Sequence, residues 1–91
     1  MGIKNYHVIY EKAARKAIDK LDKTIRKRIL DFIDNKLEGC ENPRFSGKNM
    51  IDYPNANWRY RVGDYRILAD IQDDKIVILV VKVDKRNDVY K

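Results

Sequence analysis

The chain has 91 residues, of which 44% are hydrophobic and 37% charged, a balance that favours one folded domain over a disordered chain. The lone Cys40 excludes an internal disulfide, and no apolar run approaches membrane-spanning length. Twenty Lys and Arg against fourteen Asp and Glu leave a net charge of +6, which favours nucleic acid, an anionic membrane surface or an acidic protein as partner. We expect a single domain over residues 1–91, without a secretory signal, located in the cytoplasm.

A first strand is predicted over residues 5–10, followed by two amphipathic helices. The first helix begins near Glu11; Asp22 is the predicted N-cap of the second, and Gly39 is predicted to end it. Two helices joined this closely form an antiparallel hairpin that needs a sheet to cover its apolar side. The apolar positions at helical spacing are Ala14, Ala17, Ile18 and Leu21, then Ile25, Ile29, Phe32, Ile33 and Leu37.

The outward side of this hairpin is basic, with nine Lys or Arg and four Asp between residues 12 and 36. Two interpretations remain open, a solvated helix face and a contact surface for a large polyanion. Residues 39–57 contain both prolines and are predicted to be loop, long enough to suggest a working role or a cover.

Three further strands are predicted at residues 57–62, 65–71 and 75–83. The sequence Gly63-Asp64 suits a two-residue turn, and Asp73-Asp74 is predicted to form the next turn. The last strand is apolar on both faces, as expected inside a sheet, and the first strand is expected to pair beside it. The predicted fold is therefore α+β: an N-terminal strand, an antiparallel helical hairpin, then a three-stranded antiparallel meander, with the helices packed on one sheet face.

Alternation along the predicted hairpin assigns its side chains to two faces of the sheet. Arg59, Arg61 and Arg66 share the face away from the helices, with Arg61 directly opposite Arg66. Opposed like charges destabilise a sheet, and a guanidinium cannot relieve the repulsion by losing its proton. This favours an anion site, although a salt-screened surface helped by Asp70 is the alternative. The helix-facing set is Trp58, Tyr60, Val62, Tyr65, Ile67 and Ala69.

The C-terminal stretch VDKRNDVYK follows the last strand, which lies beside the arginine hairpin. It is expected to bring Lys85, Arg86 and Tyr90 to the same basic face. A phenol beside several cations is suited to proton transfer or to stacking on a base.

The motif WRYRVGDYRIL, the stretch KIVILVVKV and the terminal KRNDVY together resemble the RelE branch of the RelE/ParE toxin superfamily. The resemblance covers nearly the whole chain. It implies a ribosome-dependent endoribonuclease that cleaves translated mRNA and forms a hetero-oligomer with an acidic antitoxin. It implies no metal and no cofactor.

Carried over onto this chain, the resemblance makes Arg61, Arg66, Arg86 and Tyr90 catalytic and Arg59 and Lys85 substrate-binding. Arg61 and Arg66 would stabilise transition-state charge, while Arg86 is a proton donor or a second clamp. Some relatives have lysine at the positions of Arg59 and Arg61, so the general base is open between Tyr90 and Lys85. Two alternatives stay open, a ParE-like inhibitor that binds DNA gyrase without nuclease chemistry and a plain RNA-binding module.

Overall fold

The computed structural model describes residues 5–51 and 53–85. Within these residues, two α-helices and a five-stranded sheet form an α+β fold, as predicted. The second helix continues into a π-helical turn, Ile33–Leu37. In chain order the elements are β1 (His7–Tyr10), α1 (Lys12–Asp19), α2 (Lys23–Phe32), β2 (Lys48–Asn49), β3 (Trp58–Val62), β4 (Tyr65–Gln72) and β5 (Val77–Lys85).

The ends of the helical segment follow the local sequence signals. The Asp22 carboxylate accepts a hydrogen bond from the Thr24 backbone N–H at 3.1 Å, which confirms Asp22 as the N-cap of α2. Gly39 follows the π-helical turn with φ +82, and its N–H donates to the Tyr6 carbonyl at 2.8 Å. The prediction that Gly39 ends the helical segment is therefore confirmed.

The sheet has the strand order β1-β5-β4-β3-β2 in the described part of the chain. The predicted pairing of the first strand with the last is confirmed, since β1 runs parallel to β5 with His7 opposite Val77. The short strand β2 lies inside the segment predicted to be loop and pairs antiparallel with β3. Neither α-helix of the described residues has the length and apolar character needed to cross a bilayer.

The two turns of the meander differ in how well they were predicted. Val62 pairs with Tyr65, which confirms the two-residue turn between β3 and β4. The next turn spans four residues rather than two, because Gln72 pairs with Val77 and β5 begins two positions later than expected. Asp73, the first residue of this turn, is held outside the ladder by its side-chain hydrogen bonds.

The core lies between the helices and one face of the sheet. Tyr60, Ile67 and Ala69 are fully buried there, as predicted, and the other members of the predicted helix-facing set pack partly buried against the same cluster. Burial of this apolar area is the main source of the stability of the fold. The helices and β5 contribute Ala14, Ile18, Ile29, Ile33, Leu37, Ile78, Val80 and Val83.

The outer edge of β1 is covered by a side chain. Glu38 Oε1 accepts the Val8 backbone N–H at 2.8 Å, and Glu38 Oε2 lies 3.0 Å from His7 Nδ1. The hydrogen bond from Val8, followed by that with His7, lowers the pKa of the Glu38 carboxyl. The described edge strand therefore has a backbone donor occupied by a carboxylate.

Candidate functional site

The three arginines of the β3–β4 hairpin line one cavity on the sheet face away from the helices. The cavity measures about 300 Å³ and is bordered by Arg59, Arg61 and Arg66. Arg61 pairs directly with Arg66, and Arg59 pairs with Leu68, so the predicted register is confirmed. Strand alternation thus places three guanidinium-bearing side chains around a common space.

A fourth cation borders this cavity from the facing loop. Lys48 pairs with Arg59 through β2, and Ser46, Gly47 and Lys48 form the cavity wall opposite the hairpin. Sequence analysis missed Lys48, because two paired residues inside a nineteen-residue irregular segment produce no periodic pattern. We call residues 43–48, which include these three, the cavity wall.

Side chains of β3 hold the cavity wall in place. The buried Tyr60 hydroxyl donates to the Pro43 carbonyl, and Trp58 Nε1 donates to the Ser46 carbonyl at 2.8 Å. The Arg44 guanidinium also lies over the Trp58 ring, 5.8 Å from its centroid. The wall is therefore fixed to the same strand that carries Arg59 and Arg61.

A second anchor ties the wall to the turn between β4 and β5. Arg44 Nη1 and Nη2 donate to the two Asp73 carboxylate oxygens at 3.1 and 3.0 Å, a bidentate pair. The nearly buried Tyr6 hydroxyl donates to the same carboxylate at 2.7 Å, and this hydrogen bond is the main cause of a raised Tyr6 pKa. Three distant segments thus meet at Asp73.

Gly47 lets the wall approach β3 closely. Its φ is +94, and a Cβ there would lie 2.2 Å from the Arg59 carbonyl oxygen and 2.6 Å from Trp58 Nε1. Both atoms belong to rigid parts of the site, so only glycine fits this position without displacing the wall.

The charges around the cavity are only partly compensated. Among the described residues, no ion pair involves Lys48, Arg59 or Arg61. Arg66, by contrast, donates from Nε and Nη2 to the Asp84 carboxylate, both at 3.1 Å. The internal counter-charge of Arg66 is thus a carboxylate of β5, whereas the sequence analysis considered only Asp70 for this role.

The carboxylate that sequence analysis considered for this task serves elsewhere. Asp70 accepts a hydrogen bond from the Gln72 amide at 2.9 Å. Asp84 was missed because its position opposite Arg66 depends on a β-bulge between β4 and β5.

Tyr60 also borders the cavity but is unsuited to proton transfer. Burial, followed by the nearby Cys40, raises the pKa of its phenol, and its hydroxyl is engaged by Pro43. We therefore regard Tyr60 as a structural part of the cavity floor.

Of the three candidate site residues near the C-terminus, the structure describes Lys85 but not Arg86 or Tyr90. Lys85 pairs with Tyr65, whose side chain packs against the helix-covered core, so the register places Lys85 on the face opposite to the arginines. Lys85 is not among the residues that line the cavity. Arg86 and Tyr90 lie outside the described residues, and their predicted roles stay predictions.

The helical hairpin keeps a surplus of exposed cations. Two i,i+4 ion pairs, Arg15–Asp19 at 3.4 Å and Lys27–Asp31 at 2.9 Å, compensate part of its charge. These pairs engage only two of the nine Lys and Arg between residues 12 and 36, so the surface keeps its basic character.

Comparison with known proteins defines the class to which this fold and site belong. The family model described as the ParE toxin of the type II toxin-antitoxin system parDE matches residues 8–90. The chain therefore belongs to this family of type II toxins, within the RelE/ParE superfamily, and the RelE-type identification made from the sequence is confirmed.

Individual relatives lie in the RelE branch. The chain is similar to toxin RelG of Mycobacterium tuberculosis, with 28% identity over 94% of this chain and 97% of the relative. It is also similar to the mRNA interferase toxin RelE of Escherichia coli, with 27% identity over 93% and 90% of the two chains. The toxin–antitoxin complex RelBE2 of Mycobacterium tuberculosis contains a similar fold, with a TM-score of 0.79, 26% identity, and coverage of 96% and 98%.

Proposed function

We propose that this protein is a metal-independent endoribonuclease that cleaves translated mRNA on the ribosome. One observation carries the proposal: three arginines from neighbouring strands and a lysine from the facing wall border a single cavity of about 300 Å³. A guanidinium binds phosphate oxygens in a bidentate manner, so this arrangement suits a phosphodiester. The similarity to a toxin named as an mRNA interferase adds support.

The proposed reaction is attack of the RNA 2′-hydroxyl on the adjacent phosphorus. The O2′–P bond forms as the P–O5′ bond breaks, which gives a cyclic phosphate and a 5′-hydroxyl. The 2′ proton passes to a base, and the leaving oxygen takes a proton from an acid. Arg61 and Arg66 stabilise the charge that develops on the phosphorane oxygens, and Arg59 binds the substrate backbone.

Arg86 is assigned as proton donor or second clamp, and Tyr90 orients or deprotonates the 2′-hydroxyl. Lys85 is no longer a candidate base, because its strand register turns it away from the cavity. Lys48, which lines the cavity, replaces Lys85 as the alternative to Tyr90 for the general base, since a lysine, unlike an arginine, can lose its proton.

Primer extension in a translating extract tests this function. We expect the purified protein to produce new 5′ ends in mRNA only when ribosomes are present. Arg61→Gln should lower cleavage about a hundredfold or more through loss of transition-state charge stabilisation. Lys75→Gln removes the same charge from the exposed β4–β5 turn and should leave cleavage within about twofold. Absence of new ends with wild-type protein and ribosomes would refute the proposal.

The exposed helix cations are proposed to hold ribosomal RNA. Such contacts release counterions, so cleavage should weaken steeply as salt rises. A series of salt concentrations in the same extract measures this dependence, and a flat response would exclude a role for the basic helices.

A second candidate function is binding and inhibition of DNA gyrase without RNA cleavage. The family match favours it, because the matching model describes ParE. A supercoiling assay separates the two functions: inhibition of gyrase without new RNA ends would support the ParE-like alternative. Under this alternative, Arg61 has no role in binding a scissile phosphate.

We further propose that an acidic antitoxin neutralises the protein by placing carboxylates on the cavity cations. The similar fold in the complex RelBE2 is that of a toxin bound to its antitoxin. Titration with the product of the neighbouring gene should give an affinity that falls with salt and with Arg61→Gln. An affinity unchanged by both would place the antitoxin on another surface.

A further inference from the structure

Asp84 is an acidic residue at the edge of an otherwise cationic site. Its two carboxylate oxygens accept Nε and Nη2 of Arg66, each at 3.1 Å, in a side-on bidentate pair. The side chains of Arg66 and Asp84 are 29% and 26% exposed, so the pair is half-buried and less screened than a surface pair. Neither composition nor the family resemblance assigns a role to this carboxylate.

The residues around the pair form a charge row across three strands. Arg61 on β3 faces Arg66 on β4, and Arg66 in turn faces Asp84 on β5. Among residues 5–51 and 53–85, a second cation near Asp84 is Lys82, whose Nζ lies 4.0 Å from Oδ2. Repulsion from Arg61 and attraction to Asp84 therefore act on the Arg66 guanidinium in the same direction, toward β5.

We infer that Asp84 is a positioning residue, which holds Arg66 in one orientation at the cavity so that it stabilises the transition state for phosphodiester cleavage. The inference rests on the proposed nuclease function. An arginine side chain has many rotamers, and the bidentate pair selects one before substrate arrives. Asp84 is not itself a catalytic residue, because its effect passes through Arg66.

The pair has two opposite effects on catalysis. Fixing the guanidinium favours the transition state, whereas the negative charge weakens ground-state attraction of RNA to the cavity. Removal of the charge should therefore lower kcat and also lower KM. A role limited to stability would lower the melting temperature and leave kcat and KM of the folded protein unchanged.

The test compares Asp84→Asn with Asp70→Asn. Asp70 lies on the same sheet face, but its carboxylate binds Gln72, so this control removes an equal charge without touching an arginine. Cleavage is measured as a function of the concentration of purified ribosome–mRNA complexes, below the melting temperature of each variant. We expect Asp84→Asn to lower kcat about 10- to 100-fold and KM severalfold. Asp70→Asn should keep kcat within about twofold.

Two further variants keep the result decisive. Asp84→Glu retains the charge and should recover part of the lost kcat. In an Arg66→Ala background, Asp84→Asn should cause no additional loss, because the positioning effect requires Arg66. Equal kinetics for Asp84→Asn and Asp70→Asn, or an undiminished effect without Arg66, would overturn the inference. An inactive wild-type protein would instead refute the nuclease function itself.

Discussion

A single methyl group at Gly47 is expected to displace the wall of the basic cavity. In Gly47→Ala the new Cβ would lie 2.2 Å from the Arg59 carbonyl oxygen, well inside contact distance, at a φ of +94. The left-handed conformation costs a non-glycine residue about 1–2 kcal/mol. Movement of the wall would also break the Trp58–Ser46 hydrogen bond, which contributes about 1 kcal/mol. We therefore expect a total loss of about 2–3 kcal/mol in the free energy of unfolding, the sum of these effects.

Gly39→Ala is the matched control. Gly39 also has a positive φ, +82, but no heavy atom lies within 4 Å of the position of its Cβ. Its cost should be the backbone strain alone, about 1–2 kcal/mol. Urea unfolding measures both losses, and the fluorescence of Trp58, the single tryptophan, reports movement of the wall.

Activity provides the second measurement for this pair. With both variants folded at the assay temperature, Gly47→Ala should lose most of its mRNA cleavage and Gly39→Ala should retain it. Equal destabilisation, unchanged Trp58 fluorescence and equal activity would refute the claim that close approach at Gly47 sets the cavity.

Three other substitutions test separate parts of the structure. Lys48→Arg keeps the charge but prevents proton transfer. Cleavage, measured by primer extension, should persist if Lys48 only binds phosphate. It should fall by orders of magnitude if Lys48 is the general base. Glu38→Gln should cost about 1 kcal/mol near pH 7. Folding lowers the pKa of Glu38, so its contribution is present above the unfolded pKa and is lost as pH falls through the folded pKa. Urea unfolding should therefore show the unfolding free energies of the wild-type protein and Glu38→Gln becoming equal in acid. Tyr6→Phe removes the hydroxyl that donates a hydrogen bond to Asp73 and should lower the free energy of unfolding by about 1–2 kcal/mol.

For each of these three substitutions, one result would contradict the prediction. Loss of cleavage in Lys48→Ala but not in Lys48→Arg identifies a clamp, whereas full activity in both would remove Lys48 from the site. A Glu38→Gln deficit that stays constant into acid would show that charge is not what stabilises the β1 edge. An unchanged unfolding free energy in Tyr6→Phe would show that the Tyr6 hydroxyl does not stabilise the Asp73 cluster.

Local signals carried most of the fold prediction. Asp22 and Gly39 mark helix ends through chemistry confined to a few neighbouring residues, and both were predicted. The Gly63-Asp64 turn fixed the register of β3 on β4, so the convergence of Arg59, Arg61 and Arg66 followed from alternation alone.

The residues that were missed depend on non-local geometry. A regular ladder continued from the Gln72–Val77 pair would place Val83 opposite Arg66. A β-bulge at Leu68 and Ala69 shifts the register by one, and Asp84 arrives there instead. Neither this bulge nor the four-residue turn before β5 has a strong sequence signature.

The pairing of the first strand with the last has a consequence for when this protein can fold. His7 pairs with Val77, seventy positions later, and β5 lies inside the sheet, between β1 and β4. During synthesis, the emerging N-terminal half therefore lacks the strand against which it must dock, and the ribosomal exit tunnel still encloses that strand. The sheet that carries the arginine cavity is therefore completed only after β5 has left the ribosome.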